Sequence, residues 1–387
     1  MTAIRDTTLQ ILGDLVAYPT VTAEPNLDLI AYAQSRLDAV GARMTVTYDE
    51  RREKANLFAT IGPAVDGGVV LSGHTDVVPA DPVDWHSNPF QVSRRDDRLF
   101  GRGTADMKGF IACVLALAPA FSAAALRVPV HVALTFDEEV GFRGAPVLLD
   151  ELVRSGPSPA VAIVGEPTGL RIIAAHKGCY EYTTTFTGAE GHGSAPAKGV
   201  NAVEYGARYV ARLLDLRDEL TARAPGDSAF DPPATTISVG TISGGTARNI
   251  VAGTCALEWE MRPVQRSDAD HVLASLASFE QQLVAEMRRT HPDTGVSTVA
   301  VCEVDGLDKV ADSPALELAR LLLDGAEEDV VAFGTEAGLY QQAGVPAIVC
   351  GPGSIDVAHR PDEHVSIGQL DGCIAMLQRL LTHLSRS

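Results

Sequence analysis

Val69-Val70-Leu71-Ser72-Gly73-His74-Thr75-Asp76 is an apolar run that gives way to small and polar residues. Three uncharged, mostly β-branched side chains followed by Ser-Gly-His read as a short buried strand that ends in a loop. Working outward, the same punctuation recurs. Thr7 to Tyr18 and Leu27 to Val40 upstream have the spacing of amphipathic helices. Downstream, the pattern predicts a helix after Lys108, a strand over Val128 to Phe136, a helix near Ala145 to Val153 and a short strand at Val161-Ala162-Ile163-Val164. Short apolar runs alternating with helices predict an α/β fold, a mostly parallel sheet with helices on both faces.

The middle of the chain changes character. Tyr180, Tyr182, Thr184 and Phe186 alternate with their neighbours, as do Cys255, Leu257, Trp259 and Met261. Strict alternation predicts a sheet with one wet face. A helix is expected from about Asn201, with Val203, Ala207, Val210 and Leu214 inward. A second is expected from Ser267, with Asp270 completing a weak capping box. Its stripe is Val272, Leu276, Phe279, Leu283 and Met287. With strands near Thr236 to Ile242 and Thr298 to Val304, the order is β-α-β-β-α-β, the ferredoxin-like arrangement. Residues 179–305 are therefore expected to form an α+β domain inserted into a discontinuous catalytic domain, 1–178 and 306–387. The tail returns to α/β, with a helix from Pro314, strands at Val330-Val331 and Pro346 to Cys350, and a last helix.

The 387 residues carry 31 Lys and Arg against 50 Asp and Glu, a net charge of −19. Such a surface repels phosphate backbones and anionic lipid, so neither nucleic acid nor membrane is an expected partner. Gly109 to Leu126 lacks charge but contains Pro119 and many small residues, so a buried helix is the better reading than a membrane span. Cys113, Cys179, Cys255, Cys302, Cys350 and Cys373 show no CxxC spacing. They suit reduced, buried thiols in a cytoplasmic protein. The start of the chain, MTAIRDTTLQ, carries no basic-plus-apolar leader pattern.

Chemistry-bearing residues sit at strand ends. His74 follows the first strand, Asp106 lies in the glycine-rich Gly101–Gly109 loop before a helix, and Asp137-Glu138-Glu139 ends the Val128 strand. Glu166 ends the next strand, and His359 lies in a loop after the strand ending at Cys350. Ligands of open parallel sheets bind beyond the carboxyl ends of the strands, where such residues converge. Each alone has a plain alternative as a turn or a satisfied core residue. Jointly, imidazole and carboxylate suit zinc, cobalt or manganese. Two ions about 3.5–4 Å apart would need a bridging carboxylate and would activate one water between them. Adjacent side chains at a strand end diverge, so one of Glu138 and Glu139 can hold metal while the other acts as base.

Ser72–Asp76, Gly101–Gly109, Asp137–Gly141, Gly165-Glu166-Pro167-Thr168 and Ala358-His359-Arg360-Pro361-Asp362-Glu363, in this order, resemble the M20 metallopeptidase family. That family includes acetylornithine deacetylases, succinyl-diaminopimelate desuccinylases, aminoacylases and glutamate carboxypeptidases. The resemblance implies that His74 and Glu166 hold one ion, Glu139 and His359 the other, and that Asp106 bridges them. It implies Asp76 as the carboxylate orienting His74, Glu138 as general base and acid, and a cis peptide after Asp106. Glu190 to Pro196 resembles the loop whose histidine, here His192, stabilises the oxyanion. Gly245 to Asn249 resembles a turn whose asparagine contacts substrate, and Gly334-Thr335 resembles a backbone-contact loop for a substrate carboxylate. Arg262, on an alternating strand, could pair bidentately with that carboxylate, and Glu336 is a candidate partner for a substrate ammonium.

His176-Lys177-Gly178, Phe333 to Gly338 and Cys350 to Ser354 resemble the acetylornithine deacetylase subgroup. The implied activity is hydrolysis of N2-acetyl-L-ornithine, a small N-acyl amino acid, with one or two Zn2+ or Co2+ per subunit. A lid that also builds a homodimer is implied for the inserted domain. The alternatives are another M20 reaction (desuccinylase, aminoacylase or carboxypeptidase) and a non-catalytic metal-dependent binding protein.

Overall fold

The structure, a computed structural model, describes residues 2–323 and 325–385. The chain divides into two compact units. The first runs to Ala175 and resumes over Leu307–Asp329 and from Thr335 onward; the second is His176–Gly306 with Val330–Gly334.

The first unit is built on an eight-stranded sheet. Its order is Arg43–Tyr48, Ala55–Ile61, Val130–Thr135, Val69–His74, Val161–Val164, Ala347–Val349, Ile172–His176 and Glu328–Val331. The four strands from Val130–Thr135 to Ala347–Val349 are parallel. Their side chains are buried throughout, as a sheet covered on both faces requires. The flanks differ from the sequence expectation. Arg43–Tyr48 and Ala55–Ile61 form an antiparallel pair that joins Val130–Thr135 antiparallel, and Ile172–His176 runs antiparallel to Ala347–Val349. The central sheet is mostly parallel and its edges are mixed.

The helices Thr2–Val16, Lys108–Ala123 and Ile367–Ser385 contribute Leu12, Phe110, Leu117 and Leu377 to one core. The uncharged segment is thus a buried helix, with Lys108 to Ala118 enclosed and Pro119 near its end. No helix among the described residues is long and apolar enough to cross a membrane. Gly165 sits where the Phe110 ring presses on the backbone: a Cβ there would lie 2.1 Å from the ring.

The second unit has a four-stranded antiparallel sheet in the order Thr236–Gly244, Thr254–Arg262, Cys179–Thr187, Gly295–Val304. Helices Ala202–Ala222 and Arg266–Thr290 complete the ferredoxin-like order. Tyr180, Tyr182, Phe186, Leu257 and Trp259 face a core of their own. Two helix details differ from the reading. The buried stripe of the first is Ala202, Gly206, Tyr209, Leu213, Leu216 and Leu220, and Leu214 is exposed. The second begins at Arg266 with Gln265 as its cap residue and no side-chain cap, so the Ser267 capping box does not form. Asp268 is buried instead and accepts hydrogen bonds from Thr235 and Gln265. All six cysteines are free and buried.

Candidate metal centre

The carboxyl ends of adjacent parallel strands deliver the site. Val69–His74 ends on His74, Val130–Thr135 leads into Glu138 and Glu139, and Val161–Val164 leads into Glu166. The glycine-rich loop brings Asp106, whose peptide to Met107 is cis, as the resemblance implies. His359 comes from the loop beyond Ala347–Val349 and has a positive φ of 60°.

Asp106 faces two imidazoles with its two oxygens. Oδ1 is 3.0 Å from His74 Nε2, and Oδ2 is 3.3 Å from His359 Nε2. His359 Nε2 is also 3.0 Å from Glu139 Oε1. Glu166 Oε1 lies 3.9 Å from His74 Nε2. Ligand atoms of His74, Asp106 and Glu139 lie within 4.8 Å of one another. The five side chains expected to bind metal are therefore gathered at one place, all in the first unit.

Asp76 is arranged differently from the expectation. His74 Nδ1 is 2.9 Å from the backbone carbonyl of Asp76, while the nearer carboxylate oxygen is 3.7 Å away. That carboxylate instead accepts from the backbone amides of Glu138 and Glu139, both at 3.2 Å. Asp76 thus orients the imidazole through its main chain. Its side chain fixes the turn that carries the acidic pair. Asp137, at φ 55°, is held in turn by Lys54, which also donates to Thr22 O.

The electrostatics show what the site lacks. Burial, with Glu166, Glu139 and Asp106 nearby, pushes Glu138 well above the usual carboxylate range, against the pull of His74. Burial and Asp106 do the same to Glu166. For Asp106 burial works upward too, but hydrogen bonds from His359 and His74 outweigh it and hold its carboxyl below the usual value. Burial opposes charge on His74, yet Asp106, Glu166 and Glu138 raise its pKa well above the usual value. His359 is raised to about 10 by its contacts with Asp106 and Glu139. Glu166 Oε1 is buried with no hydrogen-bond partner among the described residues. An orphaned carboxylate oxygen beside imidazole and further carboxylates is a donor set that fits borderline divalent cations.

The remaining expected residues have other settings. His192 lies in the second unit on a two-residue strand paired with Ile250–Val251, exposed, with Nδ1 2.7 Å from Ser194 Oγ. Gly193 N donates to Asn249 O at 2.7 Å, which joins that loop to Asn249. Arg262 is bound to Glu260 at 2.6 Å and Glu181 at 3.4 Å. Gly334 packs on Cys179, where a Cβ would approach to 3.0 Å. Thr335 is buried and its hydroxyl accepts from Ala337 N. Glu336 is 1% exposed and lies 3.4 Å from the Ser72 hydroxyl, so a substrate ammonium does not reach it in this arrangement. Sequence reasoning overlooked Lys54, Arg102 and Glu363. Glu363 stood within a recognised motif, but no spacing distinguished it from a surface acid.

Residues 70–383 match the peptidase family M20/M25/M40. The chain is 38% identical to an acetylornithine deacetylase of Myxococcus xanthus over 388 residues, covering 96% of each. In fold it resembles a tripeptidase from Staphylococcus aureus, with TM-score 0.75, 19% identity and 99% of each chain covered. It also resembles a Bacillus subtilis protein described as a dinuclear metal-binding peptidase from the M20 family, with TM-score 0.64, 14% identity and 99% of each chain covered. A family match over most of the length, the strand-end ligand cluster and the ferredoxin-like second unit agree: the chain is a member of peptidase family M20/M25/M40.

Proposed function

We propose that the protein hydrolyses the acetyl amide of N2-acetyl-L-ornithine, releasing L-ornithine and acetate. One observation carries the reaction class: Glu138 stands beside His74, Asp106 and Glu139, whose ligand atoms lie within 4.8 Å of one another, with Glu166 also close by. The substrate rests on the similarity to a deacetylase of that name.

His74 and Glu166 would hold one cation, Glu139 and His359 a second, and Asp106 would lie between them. Zn2+ or Co2+ bound there would polarise the acyl carbonyl and lower the pKa of an adjacent water. Glu138 takes the proton from the attacking water and delivers it to the departing amine. His192 donates a hydrogen bond to the oxyanion. Asn249 and the Gly334-Thr335 backbone contact the substrate. Arg262 pairs with its carboxylate after exchanging one of its present partners.

The second unit acts as lid and dimerisation domain. Its edge strands, Thr236–Gly244 and Gly295–Val304, expose Ile242, Val299 and Val301, which supports pairing of two copies. Six buried, unpaired thiols suit the cytoplasm.

The test is turnover of acetylornithine against succinyl-diaminopimelate and other N-acyl amino acids, with zinc and with cobalt. Acetylornithine should give the highest kcat/KM, and Glu138→Ala should lower kcat by about 10²–10⁴ with the metals retained. A better desuccinylase or aminoacylase would overturn the substrate. Near-normal turnover in Glu138→Ala would overturn the mechanism. Tight binding of acetylornithine without product would favour a binding protein.

A further inference from the structure

Glu363 lies four positions after His359 and is 1% exposed. Its Oε1 accepts from the backbone amides of Ala105 at 2.9 Å and Asp106 at 3.0 Å. Its Oε2 accepts from Arg102 Nη1 at 2.7 Å. Its own carbonyl accepts from Gly101 N at 3.0 Å. Arg102, 3% exposed, also donates to Arg360 O and Pro79 O, both at 3.3 Å, and sits over the Trp85 ring. One side chain thus ties the loop that carries Asp106 to the loop that carries His359.

This arrangement does more than neutralise a buried arginine. An ion pair alone needs one oxygen, and Arg102 takes only Oε2. Oε1 is spent on the two amides at the turn that aims the Asp106 carboxylate. A displaced Glu363 would release the amides of Ala105 and Asp106, and Asp106 is the side chain that faces both His74 and His359.

We propose that Glu363 is a positioning residue, fixing the spacing of Asp106 and His359 so that the two cation positions form together. The inference rests on the metal reading of the site and not on the choice of substrate.

Two variants separate positioning from a structural role. Glu363→Asp keeps the charge but is shorter by one C–C bond, about 1.5 Å, so it cannot span Arg102 and both amides. The double variant Arg102→Leu with Glu363→Gln removes the ion pair without stranding a charge, and its amide oxygen still accepts from Ala105 and Asp106. Each purified protein, freed of metal, is titrated with Co2+ and followed by visible absorption and calorimetry, and the melting temperature of the metal-free form is recorded. Glu363→Asp should bind Co2+ tenfold or more weakly, with an altered spectrum, as loss of groups that orient metal ligands does. The double variant should stay within threefold of the parent chain. A role confined to the ion pair gives the reverse ranking and overturns the inference, as does Co2+ affinity within twofold of the parent in Glu363→Asp. A parent chain that binds no Co2+ overturns the metal reading, and this inference with it. If the parent binds Co2+ but the two variants rank the wrong way, only this inference falls.

Discussion

Glu336 shows how a single buried acid couples the interior to pH. Its carboxylate lies near the Ser72 hydroxyl, which in turn accepts from Tyr340 at 3.0 Å. Burial pushes its pKa from 4.5 up to about 7; Thr135, His74 and Ser72 pull it down, and Asp76 pushes it up. Because the folded value is the higher one, below about pH 4.5 both states hold the proton and nothing is lost. As pH rises toward and through 7 the folded chain must ionise a buried acid, and stability falls. The gap between 4.5 and about 7 amounts to about 3 kcal/mol. Glu336→Gln is neutral at every pH and keeps a hydrogen-bonding head. The metal-free variant should match the parent at about pH 4 and exceed it by about 3 kcal/mol at pH 8 in urea unfolding. Parallel pH curves for the two proteins would refute this. At this scale the candidates His74, Glu138, Glu139 and Glu166 were legible, because Val69–His74, Val130–Thr135 and Val161–Val164 end on or lead into them. The contacts that orient those ligands were not. Asp76 works through its carbonyl, and Glu363 through two amides that no residue pattern marks.

Helix Ala202–Ala222 is where counting aliphatic residues gave the edge of the buried face, since Val203 and Val210 pack only partly against the core. Val203, Ala207, Val210 and Leu214 have helical spacing, yet the buried stripe runs one residue away through Gly206, Tyr209 and Leu213. Tyr209 buries its ring against Phe186 and sends its hydroxyl to Glu280 at 2.9 Å. Gly206 lets Cys255 approach: a Cβ there would lie 2.8 Å from its Sγ. A tyrosine with a polar partner and a glycine at a close crossing both belong to the core, although neither counts as a strong apolar signal. Adjacent leucines test the phase. Leu213 is fully buried and Leu214 is 38% exposed. Leu213→Ala should cost about 2–5 kcal/mol, and Leu214→Ala within about 0.5 kcal/mol of nothing, by denaturant unfolding. Equal losses would mean that the helix is rotated. The pair Arg43–Tyr48 and Ala55–Ile61 escaped the reading for a related reason. Asn56 and Thr60 interrupt the apolar run of a fully buried strand. Asn56 is satisfied there by Thr47 Oγ1 and Gly144 O, both at 2.9 Å, a compensation visible only once the strands pair.

Across the whole chain, net charge −19 and a buried carboxylate cluster act in the same direction. Both favour a divalent cation in the folded state, and the ligand cluster exists only there. A ligand that binds only the folded form stabilises it by mass action, about 2.7 kcal/mol at a hundredfold its Kd. All five candidate ligand side chains belong to the first unit, and the second has a separate apolar core. The stabilisation should therefore be local. In amide hydrogen exchange, Zn2+ should slow opening in Val69–His74, Val130–Thr135 and Val161–Val164, the strands that deliver the ligands. Cys179–Thr187 and Thr254–Arg262 should exchange at the same rate with Zn2+ as with a chelator. If both sheets gain protection equally, the two units unfold as one cooperative body. If neither does, the carboxylate cluster does not bind the ion in the folded chain.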